Sequence, residues 1–241
     1  MANIYAIDLE ASSSHYMLIS DATQTGLDLT GDHTVEAFIK MESLPSNGNY
    51  MVIVAKHGSS GSFGYFWALY NDAGTYKLKG GWSSSGSNFE FHEYTLSASS
   101  LATWYHVAIS VTISTHSASF YQGGELLGTD ATGTLTSINN NNQNFYIGAL
   151  NQGGIGSLYD GVMDELRVWN VARTANQIKQ NIYRDVTLQT GLKGYWKFEN
   201  GYTDSSGNGN TVGPNGSPTF VTSPPFSNYI TDGGQFIFNL L

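Results

Sequence analysis

Aromatic rings set beside amides and carboxylates can hold sugars, because a sugar ring presents an apolar C–H face next to its hydroxyls. The chain supplies 15 Tyr, 12 Phe and 5 Trp. Rings concentrate at Phe63–Tyr70, around Trp82 and at Phe89–Tyr94, and amides at 139–144 and at Asn151-Gln152. Alternation along GYFWALY buries about half of its rings if that stretch is a strand. Trp82, between Gly80-Gly81 and Ser83–Ser85, is the ring the sequence leaves least embedded. Trp82, Tyr94, Asn151 and Gln152 are therefore the candidate ligand contacts. The competing reading is that these rings fill a core and that the Asn run is a solvated turn.

Cleaving a glycosidic bond needs two carboxylates held at a set separation on one surface. Glu90 and Glu93 stand three apart and would face opposite sides of a strand, and adjacent Asp164 and Glu165 would diverge likewise. His15, His33, His57, His92, His106 and His116 show no metal-ligand spacing. His106 reads as a hydrogen-bonded framework residue. The chain has no cysteine, which excludes thiolate catalysis and cysteine metal sites. No nucleophile elbow, phosphate loop or dinucleotide fingerprint is present, and GGIGS at Gly153–Ser157 precedes a strand instead of a helix. The expectation is binding without catalysis.

The elements that must position these groups are strands. Only 12% of residues are charged while Gly numbers 28, a balance that suits many short strands joined by Gly, Asn and Ser turns. In 35–40, Val35, Ala37 and Ile39 oppose Glu36, Phe38 and Lys40, the pattern of a half-buried strand. Further strand-like runs fall at Tyr50–Ala55, Gly64–Tyr70, Thr75–Gly80, Trp104–Ile113, Ala118–Tyr121, Asn144–Gly148, Gly161–Trp169 and Gly191–Glu199. One segment breaks the pattern: in 174–183, Ala175, Ile178 and Ile182 recur at helical spacing behind Thr174 as N-cap.

Lys and Arg total 10 against 19 Asp and Glu, a net charge of −9, which gives no footprint for a phosphate backbone and argues against nucleic acid. No apolar run is long enough to insert in a membrane, and the opening MANIYAIDLE has no secretory signal pattern.

Several stretches resemble the laminin-G-like, concanavalin A-like lectin/glucanase superfamily: LTGDHTVEAFIK (Leu29–Lys40), TWYHVAISV (Thr103–Val111), ASFYQGGELLGT (Ala118–Thr129), FYIGA (Phe145–Ala149) and YDGVMDELRVWNVARTANQIKQNIY (Tyr159–Tyr183). The resemblance implies an all-β, two-sheet antiparallel jelly-roll β-sandwich with one short helix near 174–183, and it makes Trp104 and Trp169 core anchors. Phe38 departs from the family, where Trp is usual. GYWKFENGYTDSSGNGNTV (Gly194–Val212) resembles a segment that normally opens the domain, yet here it comes last. It either completes the sandwich in permuted order or adds a strand to a neighbouring copy.

The jelly roll is thus expected over 1–212, with a Gly/Pro-containing tail over 213–241 that docks on a sheet, its apolar end Gln235–Leu241 included. The resemblance further implies a structural calcium ion, with Asp204 meeting Asp164 and the chain near Asn208 adding ligands. The expected function is recognition of a carbohydrate or cell surface, outside the cell or on a virion. The alternatives are a structural part of a virion or extracellular assembly, with copies or virion neighbours joined through the tail, and more remotely a glycoside hydrolase.

Overall fold

Alternating inward residues make the strands of this computed structural model, which describes residues 2–222 and 224–228. In chain order these are β1 (Ala6–Leu9), β2 (Tyr16–Ile19), β3 (His33–Met41), β4 (Tyr50–Lys56), β5 (Tyr65–Asp72) and β6 (Thr75–Trp82). Then come β7 (Glu90–Thr95), β8 (Trp104–Thr112), β9 (Ser117–Gln122), β10 (Glu125–Asp130), β11 (Phe145–Ile147), β12 (Leu150–Asn151) and β13 (Ile155–Gly156). The chain continues with β14 (Gly161–Trp169), α1 (Ala175–Asn181), β15 (Leu192–Trp196), β16 (Gly213–Asn215) and β17 (Thr219–Val221).

Two antiparallel sheets result. One runs β10-β9-β8-β3-β14-β1-β17, with β15 also on β14; the other runs β16-β2-β11-β4-β5-β6-β7. Between them lie Ile39, Trp67, Leu78, Trp82, Val107, Phe120, Phe145 and Trp196, all buried. The chain is an all-β jelly-roll sandwich of two antiparallel sheets with one helix. No helix among the described residues is long and apolar enough to cross a membrane.

The out-of-order segment finds its place on β14. The ladder of β14 with β3 shifts register between Asp164 and Arg167, a bulge that leaves Glu165 at φ 52°. On the other edge of β14, β1 pairs with Gly161–Met163 and β15 with Leu166–Trp169. Two short strands therefore share one edge end to end within the chain. Beyond 212, where the sequence places a tail, β16 pairs with β2 and β17 with β1. Gln235–Leu241 lies outside the described residues.

The outer face of the first sheet is covered. Thr174 caps α1 through a reciprocal capping box with Gln177. Ile178 then packs on Ala108 and Tyr121. Beside them Glu36 lies 1% exposed, with its Oε1 accepting from Trp169 Nε1 at 2.9 Å. Arg167 reaches Glu165 at 2.6 Å, and the Tyr195 hydroxyl donates to Glu165 at 2.5 Å. Trp169 is fully buried in this layer, as a core anchor should be, whereas Trp104 is only half-buried, with Lys40 Nζ 5.3 Å from its ring centre. Among the described residues the outer face of the second sheet carries no helix.

Candidate functional site

That free face is built by the same alternation that fills the core. Along β5, Tyr65, Trp67 and Leu69 point into the sandwich, which leaves Phe66, Ala68 and Tyr70 outside. Val52, Ala55, Phe66, Ala68 and Leu150 form the floor of the outer face, with Tyr50 and Phe89 packed against it. Tyr50 lies 4.8 Å from Tyr70 and 5.5 Å from Phe66 between ring centres. Phe89 stacks on Phe66 at 5.4 Å, and Phe91, 47% exposed, leans on Phe89 at 4.9 Å. Gly81 makes room for this: a Cβ there would stand 1.8 Å from the Glu90 carbonyl oxygen and 3.2 Å from Phe89.

His57 closes one end of the aromatic patch. Its ring stacks on Phe63 at 4.8 Å and meets Phe66 and Phe89 edge-on. Burial pulls its pKa down to about 4, so the imidazole is neutral near pH 7. The β12–β13 hairpin forms a rim: Leu150 packs into the floor, Asn151 Nδ2 donates to the Tyr146 hydroxyl at 3.1 Å, and Gln152 is exposed.

The charges of the face are paired with one another. Lys77 Nζ donates to Asp72 at 2.7 Å and to Glu93 at 2.5 Å, and Lys79 reaches the second Glu93 oxygen at 2.5 Å. Lys79 Nζ also sits 4.3 Å from the Tyr70 ring centre and 5.2 Å from that of Phe91. Burial alone would raise the Glu93 carboxyl, but hydrogen bonds from Lys77 and Lys79 outweigh it and hold its pKa below the ordinary value.

The structure sorts the ligand contacts expected from sequence. Asn151 and Gln152 stand on the rim of the aromatic face. Trp82 does not belong there and is corrected: it is 0% exposed, because it shares the inward side of β6 with Leu78. Its ring stacks on His92. Tyr94 is 39% exposed but stands apart from the aromatic face. It lies on the opposite side of β7 from Phe91, its ring 6.4 Å from core Phe120, and a Cβ on Gly128 of β10 would stand 2.2 Å from it. It plugs the margin where the two sheets meet. Tyr50, Tyr70, Phe91 and Lys79 were missed as individual contacts, although the alternation of β5 and β7 carries the signal.

The calcium ligands fare differently from the rim amides. Asp204 Oδ1 accepts from the Tyr195 and Ser206 backbone N–H groups at 3.0 and 2.8 Å, and Oδ2 from Ser206 Oγ and the Asn210 N–H at 2.8 and 2.9 Å. Four donors fill the acceptor directions of one carboxylate. Asp164 is 0% exposed and accepts from Asn3 Nδ2 and the Glu165 N–H. Burial, with the Glu165 charge next, pushes its pKa well up, towards the neutral form. Asn208 spends its amide N–H groups on the Leu192 carbonyl and Ser206. With their acceptor directions taken by protein donors, these residues act as loop braces and do not fit a calcium ion. Elsewhere Asp8, Glu10 and Glu42 gather with ligand atoms within 4.8 Å of one another.

The carboxylate pairs weighed for hydrolysis do not meet on the free face. Glu90 accepts from the Thr134 and Leu135 backbone, away from Glu93, while Asp164 and Glu165 are buried on the first sheet.

Residues 11–179 match the family model described as the concanavalin A-like lectin/glucanases superfamily. The chain belongs to this family. The concanavalin A-like fold extends to solved structures. A provisionally assigned carbohydrate binding protein from Bacteroides ovatus aligns with TM-score 0.68 and 24% identity over 96% of this chain and 63% of that one. The chain therefore spans under two thirds of that protein. A native heptameric SAP-like pentraxin from Limulus polyphemus aligns with TM-score 0.64 and 17% identity over 92% of this chain and 96% of the other. The CBM40 of the Ruminococcus gnavus IT-sialidase, bound to α2,3-sialyllactose, gives TM-score 0.54 and 14% identity over 75% and 98%. The sequence matches no curated protein.

Proposed function

We propose that this chain is a non-catalytic carbohydrate-recognition module, acting outside the cell, that takes its ligand on the outer face of the second sheet. The observation that carries the reading is the aromatic patch of half-buried Tyr50, Tyr70 and Phe89 with exposed Phe91, beside the amide-bearing hairpin. Buried sheet faces need such rings, whereas a solvated face exposes them only at a cost of roughly 25 cal/mol per Å². Stacking against sugar C–H faces would offset that cost. The Bacteroides and Ruminococcus structures are described as carbohydrate-binding, which supports the reading by shared fold.

The absence of catalysis is argued from commitments. Asp72 and Glu93 are both engaged by Lys77, and Glu90 holds a loop on the other side of β7. The test is a glycan array probed with the wild type and with Phe91→Ala. Binding by the wild type that drops at least about tenfold in the variant, or about 1.4 kcal/mol, supports the proposal. A blank array, or binding indifferent to Phe91, overturns it.

A further inference from the structure

We infer that the ligand of this face is an uncharged oligosaccharide laid across the strands, and not an acidic sugar held by its carboxylate. The inference rests on the carbohydrate reading above and names the class of glycan.

The charge census supports it. The whole chain has 10 Lys and Arg. Three of them lie on strands of the second sheet. Lys56 is 2% exposed and sealed below by Asp21 at 2.6 Å, Asp28 at 3.0 Å and the Asn141 and Gln143 carbonyls. Lys77 and Lys79 are compensated by Asp72 and Glu93, and Lys79 is further drawn onto the Tyr70 and Phe91 rings. A sugar carboxylate would have to displace Glu93 from both lysines and then face Asp72, on a chain of net charge −9. Anion recognition by proteins instead relies on an uncommitted, often bidentate, arginine. The three arginines, Arg167, Arg173 and Arg184, all lie in the stretch from β14 through α1 to the segment after it, on the other sheet.

The extent of the patch sets the second part of the inference. Its rings run from Tyr50 on β4 through Tyr70 and Phe66 on β5 to Phe91 on β7, with Lys79 of β6 bridging Tyr70 and Phe91. Three strand steps at roughly 4.8 Å each span about 14 Å, more than one sugar ring. A lone terminal sugar would leave much of that apolar surface wet. The amides of Asn151 and Gln152 on the rim match hydroxyls and carry no formal charge.

The experiment is isothermal titration of the full chain, at low and high salt, with cello-, xylo- and manno-oligosaccharides from monosaccharide to hexasaccharide. Sialyllactose and oligogalacturonate serve as acidic probes. The expected result is that at least one neutral series gains about tenfold or more in affinity between mono- and tetrasaccharide, unaffected by salt. The acidic probes should bind at least about tenfold more weakly. An acidic probe that binds as tightly as the best neutral chain, or a monosaccharide that already reaches full affinity, overturns the inference. If that binding is still lost in Phe91→Ala, the carbohydrate face itself stands and only the class is wrong. If no probe binds, both readings fall together.

Discussion

Trp82 and His92 stack face to face inside the sandwich, ring centres 4.3 Å apart and planes 8° apart. A Trp flanked by Gly and Ser looks like a loop residue in sequence, but Gly80 is an in-strand glycine. A Cβ at Gly80 would stand 2.0 Å from the Phe66 carbonyl oxygen and 2.8 Å from the Trp67 ring. Trp82→Ala is accordingly expected to cost about 3–5 kcal/mol of stability in urea unfolding. The fraction that stays folded should keep its glycan affinity. A variant of normal stability that has lost binding would contradict this placement.

The β-sandwich was legible because its signal is periodic and local. Val35, Ala37 and Ile39 alternate on one side of β3, which is buried on both sides and not half-buried as expected, and Thr174, Ala175, Ile178 and Ile182 mark the helix. The site was harder to read, since which side of a strand meets the core is a register question that one strand cannot answer alone. Phe91 and Tyr94 lie three apart on β7 and so face opposite ways; the pairing of β7 with β6 shows which one joins the outer face. Asp204 illustrates the other limit. An Asp in a Gly/Asn loop suits a calcium ion or a turn equally well until its four donors are seen.

Gly81 tests the support under the binding face. Gly81→Ala pushes a methyl group into the Glu90 carbonyl and crowds Phe89, so the β6–β7 ladder must shift. A loss of about 1–3 kcal/mol is expected, as for other overpacking changes. Glycan affinity should fall with it because Phe89 underlies Phe91. Unfolding curves and titration of the same sample check both; unchanged affinity at reduced stability would show that Phe89 does not position Phe91.

Asp204→Ala removes the acceptor of four hydrogen bonds and should destabilise the chain by at least about 1–3 kcal/mol, the cost of leaving buried donors unmet. Because those donors belong to the protein, the loss should be the same in calcium and in chelator. Melting curves of wild type and variant under both conditions decide it: a gap that appears only with calcium would restore a metal to this loop.

Glu42 should behave in the opposite sense to a stabilising carboxylate. Burial, then the charges of Asp8 and Glu10, raises its pKa above the ordinary value. A carboxyl whose folded pKa lies above its unfolded one stabilises the fold fully below the unfolded value and loses that contribution as pH rises through the folded one. Glu42→Gln should therefore melt higher than wild type at neutral pH and converge with it in acid. A variant that melts lower at pH 7 would mean that its charge is compensated.

Glu36 supplies the acid sensitivity. Burial alone would raise its carboxyl, but His106, with Nε2 3.4 Å away, and the Arg167 guanidinium outweigh it, with Arg173 adding to them, so its pKa falls from 4.5 to about 2. A carboxyl depressed in the fold stabilises it above the unfolded pKa and loses that contribution as pH falls towards the folded one, here between about 4.5 and about 2. Glu36→Gln can still accept from Trp169 Nε1 but strands the cations around it. The variant should be less stable than wild type at neutral pH and should lose less on acidification, so the two denaturation profiles approach each other through that window. Profiles that fall in parallel would place the acid-sensitive group elsewhere and leave Glu36 with a packing role only.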